Sequence, residues 1–132
     1  MTARIELLTK DREHPVEITE DVASIVSASG VREGLAHVHS PHTTAGIVIN
    51  EHADPDVMAD MFVWLAKASP RHAGWRHVEG NADAHVKAMM AGSGASIPVQ
   101  NGRLALGTWQ GIFFCEFDGP RSRHVLVTVV GD

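Results

Sequence analysis

The sequence contains no tyrosine, a single cysteine and few aromatic residues. The absence of tyrosine excludes chemistry in which a phenol acts as an acid or a nucleophile. The lone Cys115 cannot form an internal disulfide, and its apolar neighbours predict a buried strand thiol rather than an activated nucleophile. A chain without a disulfide framework is typical of a reducing compartment, so we expect a cytoplasmic location.

Long apolar runs and basic runs are also absent. No stretch approaches the roughly 20 apolar residues of a membrane-spanning helix, and the N-terminal segment has no signal-peptide core. The net charge is −5, so neither a nucleic acid nor a membrane is expected as the main partner. Nucleotide-binding glycine motifs and paired CxxC motifs are missing as well. The hydrophobic fraction of 44% in 132 residues predicts one globular domain, residues 1–132.

Strand and helix patterns alternate irregularly along the chain. Helix signals begin at Thr19 or Asp21, at Asp54 and after Asn81, and Asn101-Gly102 predicts a two-residue hairpin. Without regular βαβ alternation, the pattern predicts an α+β domain with one mixed, mostly antiparallel sheet and two to three helices. Strands are predicted over residues 4–8, 16–18, 34–38, 45–49, 95–99, 103–106, 112–117 and 124–130, and helices end near Gly30, Ala68 and Gly92.

One stretch, residues 36–60, concentrates groups that bind metals or move protons. It holds four of the nine histidines, including His42, together with two threonines, an Asn-Glu pair and several aspartates. So many such groups on one strand and its exit loop predict a functional site. The chemistry-bearing residues of this stretch are His37, His39, His42, Thr43, Thr44, Asn50, Glu51, His52, Asp54, Asp56 and Asp60.

Two further histidines, His77 and His85, are arranged in an HxxxNxxxH spacing around Asn81. A catalytic divalent metal takes three or four nitrogen or oxygen ligands and keeps one position open. His42, His77 and His85, with Glu51 or a nearby aspartate, would provide that number. This hypothesis requires residues that are far apart in the sequence to converge.

Anion binding is the alternative chemistry for the same residues. The hydroxyls of Thr43 and Thr44, the backbone N–H groups of residues 92–94, and Arg121 or Arg123 would hold a phosphate. A metal and a phosphate often share a site, so the two hypotheses are compatible. Glu116, which stands among apolar neighbours, is predicted to pair with Arg121 or Arg123.

Three long motifs resemble the YjbQ family, which is associated with secondary thiamine-phosphate synthase activity. They are PHTTAGIVINEHADPDVMADM, the HxxxNxxxHVK segment, and IPVQNGRLALGTWQGIFFCEFDGPRSRHV, which together extend over most of the chain. The resemblance implies an α+β domain that assembles as a homotrimer. It also implies that His42, His77 and His85 bind a divalent metal, zinc as the first expectation and magnesium as the second.

The resemblance further implies the other site residues. Glu51, Asp60 and Asn50 would be the catalytic groups, beside Asp54. A small phosphorylated substrate would contact Thr43, Thr44, Asn81, Trp109, Gln110 and Arg123.

Three functional hypotheses follow from the residues and the resemblance. The first is a metal-dependent enzyme on a small phosphorylated substrate, joining a pyrimidine pyrophosphate to a thiazole phosphate. The second is a metal-dependent hydrolase in which Glu51 is the base for a metal-bound water. The third is a trimeric module that binds a metal or a small ligand without turnover.

Overall fold

The fold is built around two antiparallel sheets in a computed structural model, which describes residues 1–132. Most element boundaries agree with the sequence predictions within one or two residues. Residues 105–106 were predicted as strand, but they lie beyond the short strand that ends at Leu104. The elements are β1 (Thr2–Leu8), β2 (His14–Glu17), α1 (Thr19–Ser29), β3 (Gly34–His39), β4 (Ala45–Glu51), α2 (Pro55–Ala68), α3 (Ala82–Ala91), β5 (Gly94–Gln100), β6 (Arg103–Leu104), β7 (Gln110–Glu116) and β8 (Ser122–Gly131).

The strands divide between a five-stranded sheet and a three-stranded sheet. The order is β1-β8-β3-β5-β6 in the first and β2-β7-β4 in the second, and every pairing is antiparallel. The predicted α+β class is confirmed, and the structure has three helices, the upper limit of the two to three predicted. The prediction of a single mixed sheet is wrong, because the loop after β3 carries the chain from one sheet to the other instead of continuing the same ladder.

The main core lies between the two sheets. Along β8 the residues Val125, Val127 and Val129 alternate inward, as the two-residue period of a strand requires. They meet Phe114 of the three-stranded sheet, and α1 adds Val22 and Val26 at one side. The opposite face of the five-stranded sheet leaves Leu35 and Val130 exposed.

A second, smaller core lies on the other face of the three-stranded sheet, beneath α2 and α3. The rings of Phe62 and Phe117 stack there with centroids 5.4 Å apart. Helix α3 lies directly on β4 at Gly46, where an added Cβ would stand 2.7 Å from the Ala91 Cβ. Glycine is needed at this position because the helix and the strand approach so closely.

Local signals place the helix ends and the hairpin as expected. The Asp54 carboxylate accepts the backbone N–H of Asp56 at 2.9 Å, and Gly30 takes a left-handed φ of 73° after α1. Asn101 and Gly102 both have positive φ, 53° and 76°, which a two-residue hairpin of this twist requires. None of the three helices combines the length and the apolar composition of a membrane-spanning helix.

Candidate functional site

A groove of about 440 Å³ lies between the loop after β3, the α3 helix and the turn that follows α3. We call it the histidine groove. No carboxylate lines it, and its polar side chains are hydroxyls and imidazoles. Its lining consists of His42, Thr43, Ala45, His85, Ala88, Met89, Gly92 and Ser93.

His42 continues the five-stranded sheet where the β3 ladder stops. The last pair of that ladder joins His39 to Leu126, which leaves the N–H of His124 without a strand partner on this side. The Nε2 atom of His42 takes that place, because it accepts the N–H of His124 at 3.0 Å. The imidazole also packs edge-on against the rings of His124 and Phe114.

This hydrogen bond determines which nitrogen of His42 carries the proton. Nε2 also lies 3.2 Å from the carbonyl oxygen of His124, but a backbone N–H has only one proton to donate and needs an acceptor. The neutral imidazole therefore keeps its proton on Nδ1, which makes no hydrogen bond within the chain. Burial, followed by the positive charges of Arg123 and His124, holds the pKa of His42 below its ordinary value.

His77 and His85 are brought together as the HxxxNxxxH spacing predicted. Their ring centroids are 5.5 Å apart at 72°, so one imidazole meets the edge of the other. His42 and His85 line the same groove, but no three His, Cys, Asp or Glu side chains within the chain are placed to hold a metal ion. The binding of a metal by His42, His77 and His85 stays a prediction.

Arg123 lies behind the histidine groove, and it is buried. Its guanidinium pairs with Glu116 and donates to the Thr44 hydroxyl at 2.9 Å. Burial alone would raise the pKa of Glu116, but hydrogen bonds from Arg123 and Thr9 hold it below its ordinary value. Of the two arginines proposed as partners of Glu116, Arg123 is the one that pairs. Because the hydrogen bonds of Arg123 and Thr44 are made within the chain, these residues support the groove from behind.

Asn81 stands at the start of α3, one turn before His85. Its amide Nδ2 donates to Asp118 at 2.8 Å, and Arg121 in turn donates to the same carboxylate at 3.1 Å. The Oδ1 atom of Asn81 is buried and has no partner within the chain. The helix begins without a hydrogen bond from this side chain, because the amide turns towards Asp118.

Four other predicted site residues lie at the far end of the three-stranded sheet. β4 separates Thr43 from Asn50 and Glu51, and its seven residues span roughly 20 Å. The Glu51 carboxylate accepts the backbone N–H of Asp54 at 2.9 Å, and Asn50 Oδ1 accepts the N–H of Glu51 at 2.8 Å. Within one chain these residues, together with Trp109 and Gln110, are thus separated from the histidine groove.

The remaining predicted residues also lie outside the histidine groove. The Gln110 amide oxygen accepts the N–H of Gly107 at 2.8 Å, and Trp109 is exposed. Asp60 lies on α2 with its carboxylate exposed. His52 pairs with Glu17 at 2.7 Å instead of facing the histidine groove. His37 and His39 stack on the uncovered face of the five-stranded sheet.

Sequence reasoning missed a buried cluster of charges at the start of α3. Asp83 and Lys87 are almost fully buried and form an ion pair at 3.0 Å. Arg12 donates to both carboxylate oxygens of Asp83, at 3.1 and 3.2 Å, and Lys87 also pairs with Glu13. The spacing of four between Asp83 and Lys87 was the available signal, but it predicts a surface pair as readily as a buried one.

Comparisons with known proteins define the class to which this fold belongs. The family model described as UPF0047 protein YjbQ-like matches residues 3–132, and the chain belongs to this family. It is 46% identical over 132 residues to a UPF0047 protein of Methanocaldococcus jannaschii, covering 100% of this chain and 96% of that protein. It is 45% identical to YugU of Bacillus subtilis over 99% of this chain and 100% of YugU.

Solved structures agree with this assignment. A YjbQ/UPF0047 family protein of Clostridium acetobutylicum is 50% identical and superimposes with a TM-score of 0.96, covering 97% of this chain and 99% of that one. A YbjQ-like protein of Sulfolobus solfataricus is 36% identical with a TM-score of 0.97, covering 100% of this chain and 97% of that one. The fold is therefore the one that these relatives share.

Proposed function

We propose that this chain is an enzyme acting on a small phosphorylated substrate, which binds in the histidine groove. The observation that carries the proposal is the hydrogen bond of His42. Its Nε2 atom accepts the backbone N–H of His124, so the neutral imidazole carries its proton on Nδ1. Around it, the groove offers hydroxyl and imidazole groups and no carboxylate. Such a lining favours a ligand rich in anionic oxygen atoms, because none of its side chains repels one.

The reaction we assign is the condensation that the family resemblance implies. The bond between the pyrimidine methylene carbon and pyrophosphate oxygen breaks, and pyrophosphate leaves with the electron pair. The thiazole nitrogen then forms a bond to that carbon. In this reaction the work of the protein is to hold the two partners and to stabilise the charge on the leaving group. His42 and Thr43 are the groups of this chain that would hydrogen-bond the phosphate oxygens.

A divalent metal, zinc before magnesium, remains part of the proposal, but one chain alone provides too few ligands for it. His77 and His85 provide two imidazoles. At the start of the same helix as His85, the buried Oδ1 of Asn81 has no hydrogen-bond partner within the chain. Nε2 of His42 is already taken by the backbone, so His42 suits a hydrogen-bond donor better than a ligand. A bound metal would neutralise phosphate charge as a Lewis acid.

We further propose a homotrimer and a cytoplasmic location for the protein. Self-association would account for the exposed apolar side chains of the five-stranded sheet, such as Leu35 and Val130. It would also offer a way to bring Trp109, Gln110 and Glu51 of one copy towards the groove of another. Sedimentation velocity on the full chain tests the trimer directly.

The central test is a calorimetric titration of the purified chain with inorganic pyrophosphate. We expect saturable binding that His42→Ala and Thr43→Val each weaken about threefold to tenfold or more, since each removes one hydrogen bond to a charged group. His72→Ala is the matched control, because His72 is an exposed loop histidine outside the groove. Binding that is equally affected by His72→Ala, or unaffected by both groove variants, would contradict the proposal.

Turnover and metal content separate the remaining alternatives. Incubation with the pyrimidine pyrophosphate and the thiazole phosphate should release pyrophosphate in the parent chain and less in His42→Ala. Metal analysis should show a loss in His77→Ala and His85→Ala. Pyrophosphate binding without turnover of any phosphate compound would favour the non-catalytic module. The hypothesis of a hydrolase with Glu51 as base gains no support from the structure of one chain, because the Glu51 carboxylate accepts the backbone N–H of Asp54 at the start of α2.

A further inference from the structure

The outer face of the five-stranded sheet carries two histidines that the phosphate chemistry does not use. His37 and His39 lie two residues apart on β3, and the buried Val38 between them points into the core. Because side chains alternate along a strand, both imidazoles project from the outer face. Their rings stack there with centroids 6.2 Å apart and planes inclined by 25°. Two imidazoles held this close on one strand are suited to share a metal ion.

The neighbouring strand orients the first of these imidazoles. Ser96 lies directly opposite His37 on β5, and its hydroxyl oxygen is 2.8 Å from Nδ1 of His37. A metal bound at Nε2 leaves the ring proton on Nδ1, where the Ser96 hydroxyl accepts it. Such a hydrogen bond fixes the tautomer and the direction of a metal-binding imidazole.

The absence of a side chain at Gly94 brings the free nitrogen of His37 towards His39. Gly94 is the partner of His39 across the β3–β5 ladder. A Cβ at Gly94 would stand 2.9 Å from Nε2 of His37, so the His37 ring lies over this glycine. Nε2 of His37 therefore lies beside His39, whose own ring makes no hydrogen bond within the chain.

The separation of the two rings is close to that of imidazoles on a shared metal. With metal–nitrogen bonds of roughly 2.1 Å, two imidazoles in a tetrahedral site have their centroids roughly 5 Å apart. The observed 6.2 Å requires the rings to approach by roughly 1 Å, which rotation of the two side chains provides without movement of the strand.

The surroundings of the pair do not repel a cation. Arg4, two strands away on β1, is neutralised by its ion pair with Glu6. The whole chain has a net charge of −5, which favours the approach of a cation. The cross-strand neighbours of the pair are all uncharged, and they are Gly94, Ser96, Leu126 and Thr128.

The geometry points to a divalent transition-metal site at His37 and His39, with copper(II) as the preferred ion and water in the remaining positions. Imidazole nitrogen suits copper, nickel and zinc, and for a given set of ligands copper(II) binds most tightly. His124 projects from the same face but packs against His42, so it adds no third ligand. The site does not depend on the proposed function, because neither histidine lines the histidine groove.

A copper(II) titration of the full chain, with histidine rings labelled with ¹³C, tests the site. Copper(II) is paramagnetic and broadens the signals of the rings that bind it. We expect the signals of His37 and His39 to broaden together, before those of the other histidines. Equilibrium dialysis gives the affinities, and copper(II) should bind about tenfold more tightly than zinc(II) or better.

Substitutions on the two strands locate the ligands. His37→Ala and His39→Ala should each lower the copper(II) affinity about tenfold or more, because a single imidazole cannot chelate. Ser96→Ala should lower it about threefold to tenfold by releasing the His37 ring, and Ser96→Thr, which keeps the hydroxyl, should restore it. His72→Ala, which removes an exposed loop histidine, is the control and should bind as the parent chain does.

Two further measurements separate this site from other sources of binding. His85→Ala removes a proposed metal ligand of the histidine groove and should leave the broadening of His37 and His39 unchanged. Sedimentation velocity with and without copper(II) shows whether the two ligands belong to one copy of the chain.

Three outcomes would overturn the proposal. In the first, His37 and His39 broaden no earlier than the other histidines. In the second, either alanine variant binds copper(II) as tightly as the parent chain. In the third, one equivalent of copper(II) raises the sedimentation coefficient, which would mean that the ligands come from different copies.

Discussion

The two faces of the three-stranded sheet are packed in contrasting ways. Phe114 points into the core between the sheets and is fully buried, whereas its neighbour Phe113 points towards the helices and is 7% exposed. The face between the sheets is apolar around Phe114, and at one end it holds the buried ion pair of Arg123 and Glu116. The helix face holds an open cleft and, at the start of α3, the buried ion pair of Asp83 and Lys87.

This contrast shows how stability and chemistry are divided in the fold. The core between the sheets is closed by strands on both sides, and apart from the Arg123–Glu116 pair at one end it is filled by apolar side chains. Helices α2 and α3 cover their sheet incompletely, and polar groups and open volume remain there. The histidine groove borders both regions, because His42 packs on Phe114 while His85 belongs to α3.

The largest expected effect is the difference between Phe114→Ala and Phe113→Ala. We expect Phe114→Ala to lower the free energy of unfolding by about 4–5 kcal/mol, because the enclosing sheets cannot collapse onto the cavity. Phe113→Ala should cost about 3 kcal/mol, since α2 can relax inward. Urea denaturation measures both. Equal costs would remove the distinction between the two faces.

The charge cluster under α3 comes next in magnitude. Asp83→Ala leaves Arg12 and Lys87 without their shared carboxylate and should cost about 3 kcal/mol. Asp60→Ala, which removes an exposed carboxylate from α2, should change stability by less than about 0.5 kcal/mol. The comparison uses the same denaturation experiment. An Asp83→Ala cost as small as that of Asp60→Ala would show that the cluster is solvated in solution.

A smaller effect is expected from the protonation of His42. Its folded pKa lies below the ordinary value of 6.5 because of burial and nearby positive charge. The unfolded chain therefore binds this proton more readily. The contribution of the neutral His42 to the free energy of unfolding is complete above pH 6.5, and it is lost as the pH falls through the pKa of His42 in the folded chain. Unfolding free energies of the parent chain should thus fall more between pH 7.5 and pH 5 than those of His42→Gln. His72→Gln is the control and should follow the parent chain.

The last comparison concerns the reactivity of Cys115, on the helix face of the same strand, and involves no change in stability. Burial raises the pKa of its thiol to about 12, so almost no thiolate is present at pH 8. We expect a thiol reagent to react with the folded chain orders of magnitude more slowly than with the chain in urea. Rapid labelling of the folded chain would mean that the cleft above Cys115 opens often.

Local structure was largely predictable from the sequence because its signals are local. Asp54-Pro55 starts α2, Gly30 follows α1, and Asn101-Gly102 turns the hairpin, each through the conformational preference of one or two residues. The division into two sheets was not predictable in this way. It depends on where the chain crosses after β3, and no single residue there signals the change of sheet.

Within the candidate site, proximity was predictable only where it depends on local structure. The rings of His77 and His85 lie together because one turn of helix and a short loop connect the two residues, and their role as metal ligands stays a prediction. The separation of Thr43 from Glu51 followed only from the length of β4, once that segment was known to be one straight strand. The burial of Asp83 and Lys87 depends on Arg12, which is distant in sequence.

The pairing of Arg123 with Glu116 has a consequence for how a ligand is received. This buried pair connects the end of β1 through Thr9, the β7 strand, the β8 strand and the loop that bears His42 through Thr44. Moving that loop would expose an unmatched charge to a dry interior, which costs several kcal/mol. The hydroxyl of Thr43 and the imidazole of His42 are thus held in place before a ligand arrives. If the proposed phosphate site is correct, binding should proceed with little reordering of the backbone, at a speed limited by encounter and not by a slow opening step.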